Sequence, residues 1–228
     1  MSVLRLRYQT LEVGAFDVHL RTLRDNQQFS DLEGVAEKLG ISSANWPMFG
    51  IVWPSAQVLA HHMLDFEVAG KRILEVGCGI ALASLVLNYR RTDITATDHH
   101  PETESFLRRN AALNDGPVIP FDRTGWADLD DELGAFDLII GSDLLYEPDH
   151  ARLLASFIDA HAKQKCEVII VDPGRKNEGR FSKLMLALGY GHSKNKPVDT
   201  SYLEAPFKGH IHSYVRGVNS NQLSAPFP

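Results

Sequence analysis

The chain has 228 residues, 44% of them hydrophobic and 23% charged, which suits one well-buried α/β domain and is short for two. A formal net charge of -6 argues against a long nucleic acid as partner, and no apolar run approaches the roughly 18 residues of a membrane span. The two cysteines, Cys78 and Cys166, suggest neither a disulfide framework nor a zinc site, and the N-terminal residues do not resemble a secretory signal, which favours a cytoplasmic protein.

The first predicted element is a β-hairpin. Residues 4–23 alternate apolar and polar side chains around Val13-Gly14, which is typical of two strands joined by a tight turn. Residues 25–45 are polar and indicate a linker with a short helix over 31–39 that ends at Gly40. The aromatic segment WPMFGIVWP then leads into a helix predicted over 55–66.

From Lys71 onward, short apolar runs alternate with amphipathic stretches, as in βαβ units. We predict strands over 72–76, 94–98, 118–119, 136–141 and 167–172, and helices over 82–89, 102–114, 150–163 and 178–188. Repeated strand-then-helix units predict a doubly wound, largely parallel sheet. Residues 196–204 and 209–216 indicate two extended segments, antiparallel at one sheet edge, with a turn that contains Pro206.

The pattern divides the chain into three segments. Residues 1–45 are the hairpin and linker extension, and residues 46–217 are the main α/β domain. Residues 218–228 are a polar tail with two prolines, which we predict to be frayed.

A glycine-rich loop follows the first strand of the main domain. Gly77, Cys78 and Gly79 allow a tight turn and a close approach of ligand to backbone. A dinucleotide fingerprint would need a third glycine where Leu82 stands. The acid Glu75, just before the loop, is badly placed for a pyrophosphate and well placed for a cation such as the ammonium or sulfonium of S-adenosylmethionine. The loop therefore favours the methyl donor over a dinucleotide.

Asp98 and Trp126, later in the chain, suggest how the rest of such a cofactor would bind. Asp98 ends the second strand, where a carboxylate can accept hydrogen bonds from both ribose hydroxyls. The alternative is that Asp98 caps the following helix. Trp126 could cover an adenine face, although alone it would more often be a packing residue.

The segment Gly141-Ser142-Asp143-Leu144-Leu145-Tyr146 follows the central apolar strand and places Asp143 and Tyr146 at the mouth of the expected pocket. Here too a structural role competes, because Asp143 can cap a turn and Tyr146 can be a half-buried packing residue. After the last parallel strand, Arg175 either binds an acidic group of a substrate or pairs with Asp172.

These motifs together resemble the class I methyltransferases, and within them the family-16 protein-lysine methyltransferases. The match covers about residues 46–190 and consists of EVGCG, Asp98, Trp126, GSDLLYE and WPMFGIVWPSAQVLA. It implies an α/β, Rossmann-like, doubly wound and mostly parallel seven-stranded sheet, with antiparallel C-terminal edge strands and the hairpin as an N-terminal extension. The DPGR stretch is similar to the branch that modifies the β subunit of electron transfer flavoprotein.

The resemblance also implies site residues. Those that would bind S-adenosylmethionine are Trp53, Glu75, Gly77, Cys78, Gly79, Asp98, Trp126, Ser142 and Asp143. Asp143 and Tyr146 match the family's Asp-x-x-Tyr pattern and would be the catalytic pair that lines the acceptor channel. The chain departs from many relatives at Ala81, where they have a third glycine; alanine is small enough to leave cofactor binding possible.

The predicted function is methyl transfer from S-adenosylmethionine to a lysine amine of a protein substrate. The first alternative is a small-molecule N-methyltransferase, which a closed pocket would favour over an open groove. The others are an NAD-binding oxidoreductase, which Glu75 and Leu82 disfavour, and a non-catalytic binding module. Adjacent histidines at 61–62 and 99–100 point in different directions, so we predict no metal site.

Overall fold

The N-terminal extension is the predicted hairpin. A computed structural model describes residues 4–28, 30–31, 33–128 and 132–217, so the predicted tail lies outside the described residues. Strands β1 (Leu6–Val13) and β2 (Phe16–Leu23) pair antiparallel about a turn in which Gly14 has φ 62°. Two asparagines of the main domain, Asn110 and Asn114, hydrogen-bond the backbone of β2, which joins the hairpin to that domain.

The linker contains less helix than the sequence suggests. The helix predicted over 31–39 is only the single turn α1 (Val35–Lys38). Gly34 before it has a left-handed conformation, and the Asp31 carboxylate accepts hydrogen bonds from the backbone N–H groups of Val35 and Glu37, so Asp31 caps the turn from outside. A 3-10 helix (Trp46–Gly50) and α2 (Pro54–Asp65) follow, and Pro54 begins α2 where its missing N–H costs no hydrogen bond.

The main domain is a seven-stranded sheet with helices on both faces. Its strands are β3 (Arg72–Val76), β4 (Asp93–Asp98), β5 (Phe121–Arg123), β6 (Phe136–Ser142), β7 (Ala162–Asp172), β8 (Gly191–Asn195) and β9 (His210–Arg216). Its helices are α3 (Leu82–Tyr89), α4 (Thr103–Leu113), α5 (His150–His161) and α6 (Glu178–Ala187). The strand order is β5-β4-β3-β6-β7-β9-β8, with β9 antiparallel to both β7 and β8 and the other pairs parallel. The predicted fold class is confirmed.

Two predicted strands are wrong in position. The strand expected at 118–119 is β5 at Phe121–Arg123, and Val118 is 76% exposed. Prolines at 117 and 120 have no N–H to donate, so regular pairing begins only after Pro120, whose carbonyl accepts the N–H of Ala96. The segment expected over 196–204 is not a strand; the partner of β9 is β8 at Gly191–Asn195, which ends before Pro197.

One helix end also differs from prediction. The helix predicted over 150–163 ends at His161, and residues 162 and 163 already belong to β7. The strand therefore begins five residues earlier than the apolar run that predicts it at 167, and its first residue, Ala162, pairs with Phe136 before an irregularity in the register.

Successive residues of each central strand pack into opposite layers, as the two-residue repeat of a strand requires. Ile73 joins the layer formed with α2, α3, α4 and the hairpin, whereas Leu74 joins the layer formed with α5 and α6. The central strands are buried on both faces, which explains why their sequences are continuous apolar runs.

Candidate functional site

The site lies where the strand order reverses. From β3 the chain proceeds outward through β4 and β5, then returns to place β6 on the other side of β3. In doubly wound sheets, ligands bind at this crevice, outside the carboxyl ends of the strands. Those ends carry the predicted glycine loop, Asp98 and Ser142-Asp143.

The glycine loop forms a tight turn, the glycine cradle, with no room for a side chain at Gly77 or Gly79. Gly77 and Gly79 have φ of 59° and 52°, and the Cys78 N–H donates to the Thr97 carbonyl at 2.9 Å, which anchors the loop on β4. A Cβ on Gly77 would come within 2.6 Å of the Leu144 side chain. On Gly79 it would be 3.1 Å from the carbonyl oxygen of Phe49. Both backbone conformation and space therefore require glycine at these two positions.

Glu75 faces a helix terminus. Its side chain is 3% exposed, and its Oε2 accepts hydrogen bonds from the backbone N–H of Ser84, at 2.8 Å, and from the Ser84 hydroxyl. Burial raises the pKa of Glu75 to about 7, although the bonds from Ser84 act in the opposite direction. One oxygen of the predicted cofactor ligand thus satisfies the first turn of α3, a role that the sequence pattern did not indicate.

Asp98 bridges the loop and the following turn. Its Oδ2 accepts the Gly79 N–H and its Oδ1 accepts the His100 N–H, both at 2.8 Å. Burial raises the pKa of Asp98, and these two N–H donors oppose that shift. Each carboxylate oxygen has a further lone pair, so the group can both brace the loop and accept hydrogen bonds from a diol.

The two predicted tryptophans lie in different surroundings. Trp126 is close to the cradle, because its ring edge would be 3.5 Å from a Cβ on Gly77, and its ring meets His150 edge-on at 5.0 Å between centroids. Trp53 is half-buried at the start of α2 and donates its indole N–H to the Met48 carbonyl at 2.9 Å. The aromatic segment instead brings Phe49 onto the loop, where its ring stacks on His100 at 4.0 Å.

The loop after β6 places Asp143 and Tyr146 beside this cradle. Ser142 ends the strand, and Asp143 has φ 55° and donates its N–H to the Val171 carbonyl at 2.9 Å. Tyr146 is 38% exposed and meets the His150 ring at 4.6 Å. Desolvation and the charges of nearby acids, Asp98 first among them, raise the pKa of Tyr146 to about 12.

Arg175 lies in the loop between β7 and α6, and its side chain pairs with Asp143 rather than with Asp172. Its Nε and Nη2 donate to Oδ1 and Oδ2 of Asp143 at 2.7 and 3.0 Å. Asp172 instead accepts the backbone N–H groups of Gly174 and Arg175, at 2.7 and 2.6 Å. Of the two roles that the sequence left open for Arg175, the pairing with Asp172 is therefore wrong. Its actual partner comes from a neighbouring loop, 32 residues earlier.

Cys78 contributes no exposed thiol. It is 7% exposed, and burial raises its pKa well above the ordinary range of a thiol. No group of His, Cys, Asp and Glu within the described ranges is arranged to hold a metal ion, and no helix among those residues is long and apolar enough to cross a membrane.

A surface depression lies at the opposite, amino-terminal end of the strands, where Lys71, Arg72, Arg90 and Lys163 line it. Three of the cations that line it have partners within the protein: Lys163 pairs with Asp137, Lys71 with Glu167, and Arg90 donates to two carbonyls of the α2 end. We therefore place the functional site at the glycine cradle.

The known proteins that this chain resembles in sequence are methyltransferases. A family model described as lysine methyltransferase matches residues 38–187. The electron transfer flavoprotein beta subunit lysine methyltransferase of Xenopus laevis is 30% identical over 133 residues, covering 57% of this chain and 53% of that protein. The histone-arginine methyltransferase METTL23 of Xenopus laevis is 31% identical over 104 residues, covering 42% and 44%. The chain spans about half the length of the curated relatives it matches.

Solved structures share the fold at low identity. The magnesium protoporphyrin IX methyltransferase of Synechocystis, solved with bound S-adenosylmethionine, has a TM-score of 0.57 and 15% identity, over 85% of this chain and 89% of that one. A ribosomal protein L11 methylase of Lactobacillus delbrueckii has a TM-score of 0.57 and 17% identity, over 91% and 98%. The family match covers most of the chain and includes every predicted site residue, so the protein belongs to the lysine methyltransferase family.

Proposed function

We propose that this protein is an S-adenosylmethionine-dependent methyltransferase whose acceptor is the side-chain amine of a lysine in a protein substrate. The observation that carries the proposal is the contact between Asp98 and Gly79. It brings a carboxylate and the glycine loop together at the crevice where the strand order reverses.

The residues present fit the methyl donor. Gly77 and Gly79 let the loop turn tightly at positive φ, and Asp98, bonded to the Gly79 N–H, can accept hydrogen bonds from the ribose hydroxyls. Trp126 lies beside the cradle for an adenine, and Cys78 would contribute backbone rather than its buried thiol. Trp53 and Ser142 remain proposed contacts at the rim of the site.

The electrostatics of the site favour a cationic ligand. Burial and, to a smaller extent, the charge of Asp98 raise the pKa of Glu75. Burial and then the charges of Asp98, Glu147 and Asp143 raise the pKa of Tyr146. A dinucleotide would bring its pyrophosphate toward these carboxylates, whereas a sulfonium and an ammonium gain attraction from them.

S-adenosylmethionine supplies, when bound, a methyl group on a positively charged sulfur. The acceptor nitrogen must approach that methyl carbon with its lone pair free, so the lysine ammonium first loses a proton to solvent. The protein then has to orient the neutral amine and exclude water from the reacting atoms. With a pKa of about 12, the Tyr146 hydroxyl keeps its proton at neutral pH, so it acts by hydrogen bonding rather than as a base. Asp143, beside it, is a fixed anion held by Arg175.

A protein acceptor is favoured over a small molecule because Tyr146 is 38% exposed and Arg175, beside Asp143, is 37% exposed. A long lysine side chain can reach such an open mouth from a protein surface. One of the relatives is named for a histone arginine and others for lysines of different proteins. The methylated amino acid that the reaction yields, methyllysine or methylarginine, therefore distinguishes the two acceptors.

The first experiment is calorimetric titration of the purified protein with S-adenosylhomocysteine, with NAD as the control ligand. We expect micromolar binding of S-adenosylhomocysteine, lost in Asp98→Ala and kept in Asp93→Ala, a matched change at the exposed opposite end of β4. Binding of NAD alone, or no binding of either ligand, would contradict the methyltransferase proposal.

The second experiment identifies the acceptor class. Electron transfer flavoprotein and calmodulin, named in two relatives, are incubated with radiolabelled S-adenosylmethionine, and the hydrolysed products are resolved. Methyllysine supports the proposal. Methylarginine, or transfer only to small amines added in parallel, would contradict the proposed lysine acceptor and leave the cofactor assignment intact.

A further inference from the structure

The loop that carries Asp143 and Tyr146 is held by a second loop, the one between β7 and α6. Asn177 donates through Nδ2 to the carbonyls of Leu145 and Glu147, at 2.9 and 2.8 Å, on either side of Tyr146. His150 hydrogen-bonds the Leu144 carbonyl at 2.7 Å. The backbone of the Asp143 loop is therefore fixed at three carbonyls without any help from Arg175.

Arg175 contacts instead the Asp143 side chain, and its guanidinium donates to both carboxylate oxygens. The Asp143 side chain is 10% exposed, and the two guanidinium bonds of 2.7 and 3.0 Å form a bidentate fork. The arginine is itself fixed, because its backbone N–H and that of Gly174 donate to the fully buried Asp172. A chain of contacts from the end of β7 thus determines the orientation of the Asp143 carboxylate.

A carboxylate in this position has two possible effects on an acceptor amine. It can orient the amine, which favours transfer. Unpaired, it would also stabilise the protonated ammonium form, whose lone pair is not available for bond formation. A lysine has an ordinary pKa of about 10.4, so further stabilisation of its charged form would oppose the reaction at neutral pH.

We propose that Arg175 is a positioning residue that occupies the Asp143 carboxylate, so that Asp143 orients the acceptor amine without acting as the counter-ion of its protonated form. This inference rests on the proposed function. In this role Arg175 contacts neither substrate nor cofactor and acts through Asp143.

The test measures the charge environment at the methyl position without an acceptor. Sinefungin has a primary amine, charged at neutral pH, in place of the methylated sulfonium, whereas S-adenosylhomocysteine is neutral there. Calorimetry gives the ratio of the two affinities for the wild type and for Arg175→Ala. We expect the ratio to shift toward sinefungin by about fivefold in the variant, because the released carboxylate attracts the ammonium.

Three further variants make the result specific. Adding Asp143→Asn to Arg175→Ala should abolish the shift, because the attracting charge is gone. Arg175→Lys keeps a cation without the fork and should give an intermediate ratio. Arg180 is an exposed arginine on α6 that donates to the Pro148 carbonyl, and Arg180→Ala should leave the ratio at the wild-type value.

The outcomes separate this inference from the proposed function. If neither ligand binds the wild type, the proposed function fails. If both bind and the ratio is the same in Arg175→Ala and in the wild type, the inference is wrong and the methyltransferase proposal stands. Should Arg175→Ala not fold, as judged by thermal unfolding, an unchanged ratio in Arg175→Lys would overturn the inference in the same way.

Discussion

The Glu75 carboxylate and Ser84 are joined by two hydrogen bonds, one from the serine backbone N–H at 2.8 Å and one from its hydroxyl. They connect the end of β3 to the first turn of α3, so the acid before the glycine loop fixes the helix that follows it. Because the side chain is buried, its proton affinity becomes part of the stability of the fold.

Glu75→Gln should remove a pH dependence of stability. With a pKa of about 7 in the folded protein against an ordinary value of 4.5, the folded state holds this proton more tightly than the unfolded chain. The stabilisation is full below pH 4.5 and is lost as pH rises to about 7, by at most about 3 kcal/mol. We expect the wild-type melting temperature to fall several degrees more between pH 5 and pH 8 than that of Glu75→Gln.

Differential scanning calorimetry at both pH values measures this, and the difference between the proteins isolates Glu75 from Asp98, whose pKa is also raised. Parallel pH dependences in the two proteins would show that Glu75 ionises in the fold as easily as in the unfolded chain.

Gly79→Ala should weaken both the fold and the site. Alanine would have to adopt φ 52° with its Cβ 3.1 Å from the Phe49 carbonyl oxygen, at a cost of about 1–2 kcal/mol. Displacement of the loop from Asp98 should reduce the affinity for S-adenosylhomocysteine at least about tenfold, which is about 1.4 kcal/mol.

The matched control for Gly79 is Gly179→Ala, in α6, where no neighbouring atom lies within 4 Å of the added Cβ. This variant should keep the affinity and gain up to about 1 kcal/mol of stability. Equal affinities of the two variants in calorimetry would remove the argument that the Gly79 backbone borders the cofactor.

Asn110→Ala should loosen the N-terminal hairpin. The Asn110 side chain is fully buried, accepts the Arg21 N–H at 2.7 Å and donates to the Arg21 carbonyl at 3.3 Å. Its loss leaves both backbone groups without this partner and should cost about 1–3 kcal/mol. Hydrogen exchange of the β2 amides should accelerate most near Arg21.

Asn114→Ala, one helical turn later, provides the comparison, since Asn114 makes the same pair of bonds to the His19 backbone from a half-buried position. We expect a smaller loss of protection there. Unchanged exchange throughout β2 in Asn110→Ala would contradict a role of Asn110 in holding the hairpin on the main domain.

Strand periodicity predicted the parallel core correctly because β3, β6 and β7 are buried on both faces and read as continuous apolar runs. The positions of the strands at the two edges of the sheet were not predicted correctly. Around Val118, prolines delay pairing to Phe121, and at the C-terminal edge the strand that pairs with β9 is the polar segment Gly191–Asn195. Edge strands need no apolar run, so their position is decided by hydrogen-bond partners that sequence periodicity does not show.

The sequence by itself determined the fold class, the family and the strand ends at which we propose the site, because burial and the glycines leave local patterns in the chain. Only the tertiary structure decided where the carboxylates point. Glu75 turns to Ser84, Asp98 braces Gly79, and Asp143 is held by Arg175. These partners lie 9 to 32 residues apart and meet through the packing of different strand ends, and hydrogen bonds between such distant residues have no periodic signature in a sequence.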